Sequence, residues 1–210
     1  MADISIISIS TNELNHLKNL LPSLFKYEKS VDFEFILVDN NSTDGTYKWV
    51  SSNYPHIKII RNRKKQGFAF NNNIGIKRSK GRYILILNPD ILFIEEIFPK
   101  TLDFMDKNPE VGMSTCKILN EDGTFQYAQR RYYTYPTLFV RRFPIFRTIM
   151  RNSRFNRRHL YMDKATNKVF YPDWILGAFM LIRRDVLNKI GFLDERFQLY
   201  FEDVDYSRRI

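Results

Sequence analysis

The stretch Tyr83–Leu87, an unbroken run of apolar residues, is followed at once by Asn88-Pro89-Asp90 and decides the fold class. A short apolar run that ends at a turn signal predicts a strand buried on both faces. Strands of that kind belong to parallel sheets that helices cover on each side. Residues 83–90 therefore predict an α/β protein with a polar triplet at the end of a central strand.

Two stretches nearer the start of the chain have the same form. Ile4–Ser10 is largely β-branched and apolar and leads into Thr11-Asn12. Glu34–Val38 is a short apolar run that ends at Asp39. Leucine residues recur at helical spacing between them, over residues 14–24. Alternating strands and helices at this spacing predict a mostly parallel central sheet with helices on both faces.

Further elements are predicted along the chain, with less regularity in its second half. The predicted strands are Ile57–Ile60, Val111–Cys116 and Ala178–Ile182, and the predicted helices are Thr46–Asn53, Phe68–Ser79, Ile94–Met105 and Arg184–Ile190. A last helix is predicted to begin at Glu202, and the chain stops at Ile210 inside that pattern without a cap. We therefore expect residues 1–210 to be one domain that is truncated at its C-terminal end.

Polar clusters follow the predicted strands, at the place where ligands bind in open parallel sheets. They are Ser10-Thr11-Asn12, residues 39–45 and Asn88-Pro89-Asp90. A carboxylate that a buried strand places there is costly unless it binds a cation or a hydrogen-bond donor, so Asp39 and Asp90 are candidate binding residues. Other interpretations stay open, because the second cluster also suits helix caps and Asx-turns and the third also suits a plain turn.

An acidic cluster, Glu202-Asp203 with Asp205, follows an aromatic run near the end of the chain. Acidic residues at the start of a helix are stabilised by the helix dipole, so a plain helix N-terminus is one interpretation. The other is a carboxylate base beside an apolar wall, where partial burial raises the pKa and favours proton abstraction.

Composition and missing motifs exclude several classes of protein. A single cysteine, Cys116, rules out an intramolecular disulfide framework, and one cysteine with three histidines cannot form a typical structural zinc site. No Gly-rich loop of the Walker or dinucleotide-binding type follows a strand. No apolar run has the length of a membrane span, and the N-terminus lacks the basic region of a signal peptide.

Positive charge is concentrated in one segment. The chain has 33 Lys and Arg against 23 Asp and Glu, a net charge of +10. Residues 123–162, the basic aromatic insertion, hold nine Arg, ten aromatic residues and no Lys, Asp or Glu. This composition suits an anionic membrane surface, or RNA or DNA through phosphate contacts and stacking. A solvated loop whose rings pack on the sheet is the third interpretation.

Five motifs in order resemble the inverting glycosyltransferases of family 2, which have the GT-A fold. They are Asp39–Thr46, Gly67-Phe68-Ala69 with Asn72-Asn73 and Gly75, Leu87–Asp90, Gly177–Arg184 with Gly191–Glu195, and Tyr200–Asp205. The Asn-Pro-Asp and Glu-Asp-Val-Asp forms look most like bacterial rhamnosyltransferases of cell-surface polysaccharide synthesis. The resemblance implies a single GT-A catalytic domain that moves a sugar, with rhamnose expected, from a nucleotide-diphosphate donor to a glycan or lipid-linked acceptor.

The resemblance also implies roles for residues at matching positions. Those expected at the donor are Thr11, Asn12, Asp39, Asp44, Asn73, Asn88 and Asp90. Asp90 would bind Mg²⁺ or Mn²⁺, while Asn88 is neutral and leaves one anionic ligand where the family has an Asp-x-Asp motif. Oxygen ligands suit either ion.

On the acceptor side, the resemblance implies roles for Trp174 and Gly177, and it makes Asp203 the catalytic base with Glu202 as its rival. Family members often have a further metal-site histidine downstream, and this chain ends at Ile210 before any such residue. If the chain is a fragment, we expect it to bind nucleotide and to lack activity. Lipid-linked acceptors imply a cytoplasmic protein, peripheral at the inner membrane face. The alternative function is a non-catalytic nucleic-acid or membrane-binding module that uses the Arg-rich segment, with nucleic acid the less favoured partner.

Overall fold

The computed structural model describes residues 2–142, 153–164 and 168–210. The chain divides into the sheet unit, Met1–Cys116 with Gly177–Ile210, and the inserted unit, Lys117–Leu176. The part of the basic aromatic insertion that lies outside the described residues includes Phe143, Phe146, Arg147 and Arg151, and the side chains of residues 139–142.

Ten strands and eight helices are present in the described ranges. The strands are β1 (Ile4–Ser10), β2 (Phe33–Asp39), β3 (Lys58–Arg61), β4 (Tyr83–Leu87), β5 (Met113–Ser114), β6 (Ile118–Leu119), β7 (Phe125–Gln126), β8 (Gln129–Arg130), β9 (Trp174–Ile175) and β10 (Phe179–Arg183). The helices are α1 (Leu14–Tyr27), α2 (Thr46–Asn53), α3 (Phe68–Ile76), α4 (Phe98–Lys107), α5 (Tyr135–Arg142), α6 (Arg154–His159), α7 (Arg184–Ile190) and α8 (Glu202–Arg209). Within these ranges, no helix combines the length and the apolar content needed to cross a bilayer.

The sheet unit is built on six strands in the order β3–β2–β1–β4–β10–β5. The first four run parallel, while β10 runs antiparallel to both β4 and β5. The chain moves outward from β1 to β3 and then returns to the other side of β1 as β4. This reversal leaves a crevice at the carboxyl ends of β1 and β4, where ligands bind in sheets of this type. The predicted mostly parallel α/β sheet is confirmed.

The centre of the core is formed by β1 and β4. Every residue of β4 is at most 1% exposed, and Ile4, Ile6 and Ile7 of β1 are fully buried. Helix α3 packs on β1 and β2, and α1 buries one leucine-rich face. Because β4 is buried along its whole length, both faces of the sheet are covered at the strand that leads into Asn88 and Asp90.

Two predicted elements differ from the structure. The helix predicted from Ile94 begins at Phe98, and Ile94 is 61% exposed. Pro99 lies in the first turn of α4, where proline is tolerated, and it would break a helix that had begun at Ile94. The strand predicted over Val111–Cys116 is reduced to the two residues of β5, at the edge of the sheet.

The inserted unit contains two antiparallel strand pairs, β6 with β7 and β8 with β9, and the contacting helices α5 and α6. Trp174 is 3% exposed and donates its indole N–H to the Arg131 carbonyl at 2.9 Å. The carboxylate of Asp173 accepts the Tyr161 hydroxyl at 3.2 Å and the Tyr132 backbone N–H at 2.7 Å. None of these four strands was predicted, because two-residue strands carry no periodicity.

Gly81 brings the chain against β1 just before β4 begins. A Cβ at Gly81 would lie 2.5 Å from the Ser5 nitrogen and 2.7 Å from the Ile4 carbonyl carbon. These are backbone atoms of a central strand and cannot move aside as a flexible side chain would. We expect Gly81→Ala to lower the free energy of unfolding by about 3 kcal/mol, measured by urea denaturation. Lys80→Ala, at the exposed neighbouring position, is the control and should change it by less than about 0.5 kcal/mol. Equal stabilities of the two variants would contradict this prediction.

Candidate functional site

The loops that follow β1 and β2 are tied to each other at the carboxyl edge of the sheet. Asn12, at a φ of 63°, accepts the Thr43 backbone N–H through its side-chain oxygen at 2.7 Å. Its own N–H donates to the Ser42 hydroxyl at 3.0 Å, and the Thr11 hydroxyl accepts the Asn40 side-chain amide at 3.1 Å. The structure therefore brings Thr11 and Asn12 together with the polar cluster after β2, as parallel strands require.

Asp39 ends β2 and is fully buried, with both carboxylate oxygens hydrogen-bonded. Oδ1 accepts the Ser42 backbone N–H at 2.9 Å, and Oδ2 accepts the Arg61 Nε–H at 3.0 Å. The Arg61 guanidinium also lies 4.4 Å from the centre of the Tyr47 ring. A buried carboxylate is stable in such a place when a cation and a backbone donor both contact it. Arg61 therefore belongs to the candidate site, although no sequence motif indicated it.

Asp44 caps two helices. Its Oδ2 accepts the Leu14 backbone N–H at the start of α1 at 2.9 Å, and its Oδ1 accepts the N–H and the hydroxyl of Thr46 at the start of α2 at 3.0 and 2.6 Å. Partial burial works against ionisation, yet hydrogen bonds from Thr46 and Leu14 lower the pKa of Asp44 below its usual range. This geometry favours the helix-cap interpretation, and a role of Asp44 in donor binding stays a prediction.

Asn73 of α3 is buried and holds the chain at residues 193–195. Its amide nitrogen donates to the Leu193 carbonyl and to the Glu195 carboxylate, both at 2.9 Å, and its oxygen accepts the Leu193 N–H at 3.1 Å. Both N–H groups and the oxygen of the amide are thus committed to positioning this segment. The geometry supports a positioning role for Asn73, and its predicted contact with the donor stays a prediction.

A continuous set of contacts leads from the end of β4 to the segment before α8. The Asn88 N–H donates to the Ala178 carbonyl at 3.0 Å. The adjacent Gly177 lies so close to the Phe68 ring that a Cβ would be 3.2 Å from it. The Phe68 N–H, at the start of α3, donates to the Gln198 carbonyl at 3.0 Å. Gln198 lies four residues before α8, so these contacts connect the turn after β4 with the approach to the acidic helix.

Asp90 lies in the turn after β4 with its side chain exposed. Its carboxylate makes no hydrogen bond or ion pair with any described residue. Across the described ranges, no three His, Cys, Asp or Glu side chains come together as a ready-made metal site. A protein carboxylate with few protein neighbours is the kind of site that Mg²⁺ uses when substrate phosphates supply the other oxygens. The residues present therefore fit a cation that binds together with a diphosphate.

The start of α8 combines an unusual backbone with a buried carboxylate. Tyr200 and Phe201 have φ angles of 68° and 70°, a left-handed conformation that is uncommon for residues with side chains. Glu202 is 5% exposed, and its Oε2 is buried without a hydrogen-bond partner. Burial raises the pKa of the Glu202 carboxyl above its usual range, and the charge of Asp203 adds to the rise.

Asp203 differs from its neighbour because it is only half-buried, and its Oδ1 accepts the Val204 N–H at 2.9 Å. The burial expected of a carboxylate base is therefore found at Glu202, while Asp203 is the more accessible of the two. Backbone strain of this kind clusters at functional sites, which supports the interpretation of α8 as more than a plain helix start.

The two predicted acceptor-side residues lie in different units. Gly177 belongs to the sheet unit, beside Phe68, and Trp174 belongs to the core of the inserted unit. The inserted unit also contains an open cleft of about 420 Å³. Its lining includes Asn120, Phe125, Gln126, Tyr127, Arg130 and Asn156. Amide groups beside aromatic rings suit a saccharide, which presents hydroxyl groups and apolar ring faces.

Comparison with known proteins agrees with this geometry. Residues 5–191 match the model of the family described as Glycosyl transferase family 2. An uncharacterized glycosyltransferase of Haemophilus influenzae is 33% identical over 126 residues, which are 58% of this chain and 42% of that protein. The N-acetylglucosaminyl-diphospho-decaprenol L-rhamnosyltransferase of Mycobacterium tuberculosis is 25% identical over 228 residues, which are 98% of this chain and 69% of that protein.

A solved structure shares the fold. The mannosyltransferase PcManGT from Pyrobaculum calidifontis, in complex with GDP-Man and Mn²⁺, has a TM-score of 0.63 at 15% identity, over 98% of this chain and 50% of that one. This chain thus spans half the length of that protein and less than half the length of the Haemophilus relative. The likeness shows the GT-A fold that the motifs implied. Since the family model covers most of its length, the chain belongs to glycosyl transferase family 2.

Proposed function

We propose that the two units form one GT-A catalytic domain of a metal-dependent inverting hexosyltransferase. The enzyme moves a sugar from a nucleotide-diphosphate donor to a glycan or lipid-linked acceptor in cell-surface polysaccharide synthesis. Rhamnose is the expected sugar, because the M. tuberculosis relative, which matches 98% of the chain, is a rhamnosyltransferase. This activity places the enzyme in the cytoplasm, peripheral at the inner membrane face where such acceptors are held.

The observation that carries this proposal is the set of contacts between the end of β4 and the approach to α8. Asn88 is bonded to Ala178, and Phe68 both lies against Gly177 and bonds Gln198. This arrangement supports a site in which a donor bound beside Asp90 meets a base from α8.

Inverting transfer needs a stabilised leaving group and a base for the acceptor hydroxyl. A divalent cation held by Asp90 and the donor diphosphate would neutralise charge on the leaving group, and the Mn²⁺ in the PcManGT complex supports this choice of ion. Asp203 takes the proton from the acceptor hydroxyl as its oxygen attacks the anomeric carbon opposite the leaving group. One carboxylate is enough for this reaction, whereas glycoside hydrolases need a pair around the bond.

The nucleoside end of the donor lies at the loops after β1 and β2. Asp39 is fully buried, so it acts on the base or ribose through Arg61, whose half-exposed side chain it orients. Thr11 and Asn12 fix the shape of the same loop. The cleft of the inserted unit, considered by itself, is a candidate saccharide-binding surface. A non-catalytic nucleic-acid or membrane-binding module, the alternative, draws support only from the Arg-rich segment.

Loss of the Asp90 carboxylate should weaken nucleotide-diphosphate binding only in the presence of a divalent cation. We expect Asp90→Ala to weaken binding about tenfold in Mn²⁺, because the cation then lacks its protein carboxylate, and to leave binding in EDTA unchanged. Calorimetry with UDP, dTDP and GDP measures the affinity in Mn²⁺ and in EDTA. Asp185→Ala removes an exposed aspartate of the same unit and should bind like the unchanged protein. Undiminished binding by Asp90→Ala in Mn²⁺ would refute the metal role.

Replacing each α8 carboxylate with its amide distinguishes the role of Asp203 from that of Glu202. We expect Asp203→Asn to reduce transfer about 10³-fold with donor binding retained. The reason is that an amide cannot take the proton from the hydroxyl group of the acceptor sugar. Transfer assays with matched calorimetry give both quantities. Normal turnover in Asp203→Asn, together with loss of turnover in Glu202→Gln, would assign the base to Glu202.

The raised pKa of Glu202 predicts a stability change with a defined sign. At a pH below its unfolded-state pKa, Glu202 is protonated in both states and contributes no difference. As the pH rises above that value, the unfolded state ionises while the folded state keeps the proton up to its raised pKa, so the free energy of unfolding falls. Glu202→Gln should therefore raise the free energy of unfolding by about 1 kcal/mol at pH 8 and leave it unchanged at pH 4, measured by urea denaturation. A stability loss at pH 8 would show that the Glu202 carboxylate is well paired in solution.

A further inference from the structure

We propose that α5 and α6 of the inserted unit form a docking surface for an anionic lipid bilayer. This inference rests on the proposed function, since it names the surface that would hold the enzyme at the membrane, and its test involves neither donor nor acceptor. It rests on exposed apolar side chains, on unpaired arginines beside them and on the distribution of charge between the two units.

Large apolar side chains of these two contacting helices are exposed to solvent. Tyr135 is 91% exposed, Leu138 is 42% exposed and Phe155 is 51% exposed. Single exposed apolar residues are ordinary, whereas several on adjoining helices indicate a surface that becomes covered. An aliphatic side chain together with aromatic rings is typical of helices that lie in a membrane interface.

The charged part of the surface is the set of arginines Arg154, Arg157 and Arg158 on α6. All three side chains are exposed, and none makes an ion pair with a described residue. In the same unit Arg131, by contrast, is paired with Asp163 at 3.2 Å. The three on α6 have unneutralised charge, which selects an anionic partner.

The charge of the whole chain points to the same unit. Residues 117–176 contain twelve basic and four acidic residues, so they carry +8 of the net +10. Each basic residue that lies at the membrane surface raises the affinity of such a unit for anionic lipid about fivefold. The inserted unit is therefore the part of the chain that a negatively charged bilayer attracts.

Lipid fits this surface better than nucleic acid does. RNA or DNA would use the arginines and stack on the rings, but it offers no partner for the aliphatic side chain of Leu138. A bilayer offers acyl chains to Leu138 and Phe155 and phosphates to the guanidinium groups. Phe155 is adjacent to Arg154 and one helical turn from Arg158. The acyl chains and the lipid phosphates can therefore be contacted together.

The test is cosedimentation of the whole chain with vesicles of phosphatidylcholine alone or mixed with phosphatidylglycerol. We expect binding to the mixed vesicles that weakens as salt is raised, and none to the neutral vesicles. The triple variant Arg154→Gln, Arg157→Gln, Arg158→Gln should weaken binding about a hundredfold. The control variant Lys18→Gln, Lys48→Gln, Lys189→Gln removes the same charge from exposed positions of the sheet unit and should weaken binding less than about threefold.

A second measurement tests the apolar side chains directly. Tryptophan fluorescence of Phe155→Trp should shift to the blue on mixed vesicles and be quenched by brominated lipid, beyond the change seen for the unchanged protein. If the arginine variant does not fold, Tyr135→Ser tests the same surface from α5. This variant should weaken vesicle binding about tenfold. Absence of quenching would overturn the docking surface, as would equal losses in the arginine and lysine variants. Arginine-dependent binding of RNA without binding to vesicles would assign the surface to nucleic acid instead.

Discussion

The hydrogen bonds between the Asn73 side chain and both backbone groups of Leu193 are the constraint on which the rest of the site depends. They join residues 120 positions apart and form in the buried interior, where a lost partner would leave backbone groups without hydrogen bonds. Gly67 completes the attachment, because a Cβ there would lie 2.8 Å from the Gln198 carbonyl oxygen. Helix α3, which packs on the centre of the sheet, thereby fixes the approach to Glu202 and Asp203.

The site contains two buried carboxylates with opposite energetics. Asp39 has Arg61 and a backbone N–H as partners, so its burial is compensated within the fold. Glu202 has one oxygen without a partner, and burial raises its pKa. A chain selected for stability alone would replace such a group, whereas acid–base chemistry needs a carboxylate whose proton affinity differs from that in water. This contrast favours a structural role for Asp39 and a chemical role for the start of α8.

The sequence predicted those parts of the fold that local patterns encode. The bounds of β4 follow from an unbroken apolar run and those of β1 from an isoleucine-rich one, and the polar clusters after them follow from where those runs stop. The Arg61 contact could not be obtained this way, because Asp39 and Arg61 become neighbours only through the register of β2 with β3. The same limit applies to Asn73, since the motif indicated its importance but its partner lies 120 residues away. Local periodicity does not specify such long-range pairs, and the family resemblance supplied residue positions without their contacts.

The distribution of charge implies that the two proposed anionic partners, the diphosphate donor and the bilayer, would be bound by different kinds of interaction. The sheet unit has 21 basic and 19 acidic residues, and Asp39, Asp90 and the α8 carboxylates lie among its candidate site residues. Its net charge of +2 gives a diphosphate little long-range attraction, so the donor of the proposed function would be held by a cation and directed hydrogen bonds, which are short-ranged and geometrically selective. The proposed bilayer would instead attract the inserted unit through its exposed arginines, an interaction that extends over about 10 Å and weakens with salt. A selective donor site therefore needs no basic surface of its own, and the arginine-rich segment can serve a bilayer without competing for the donor.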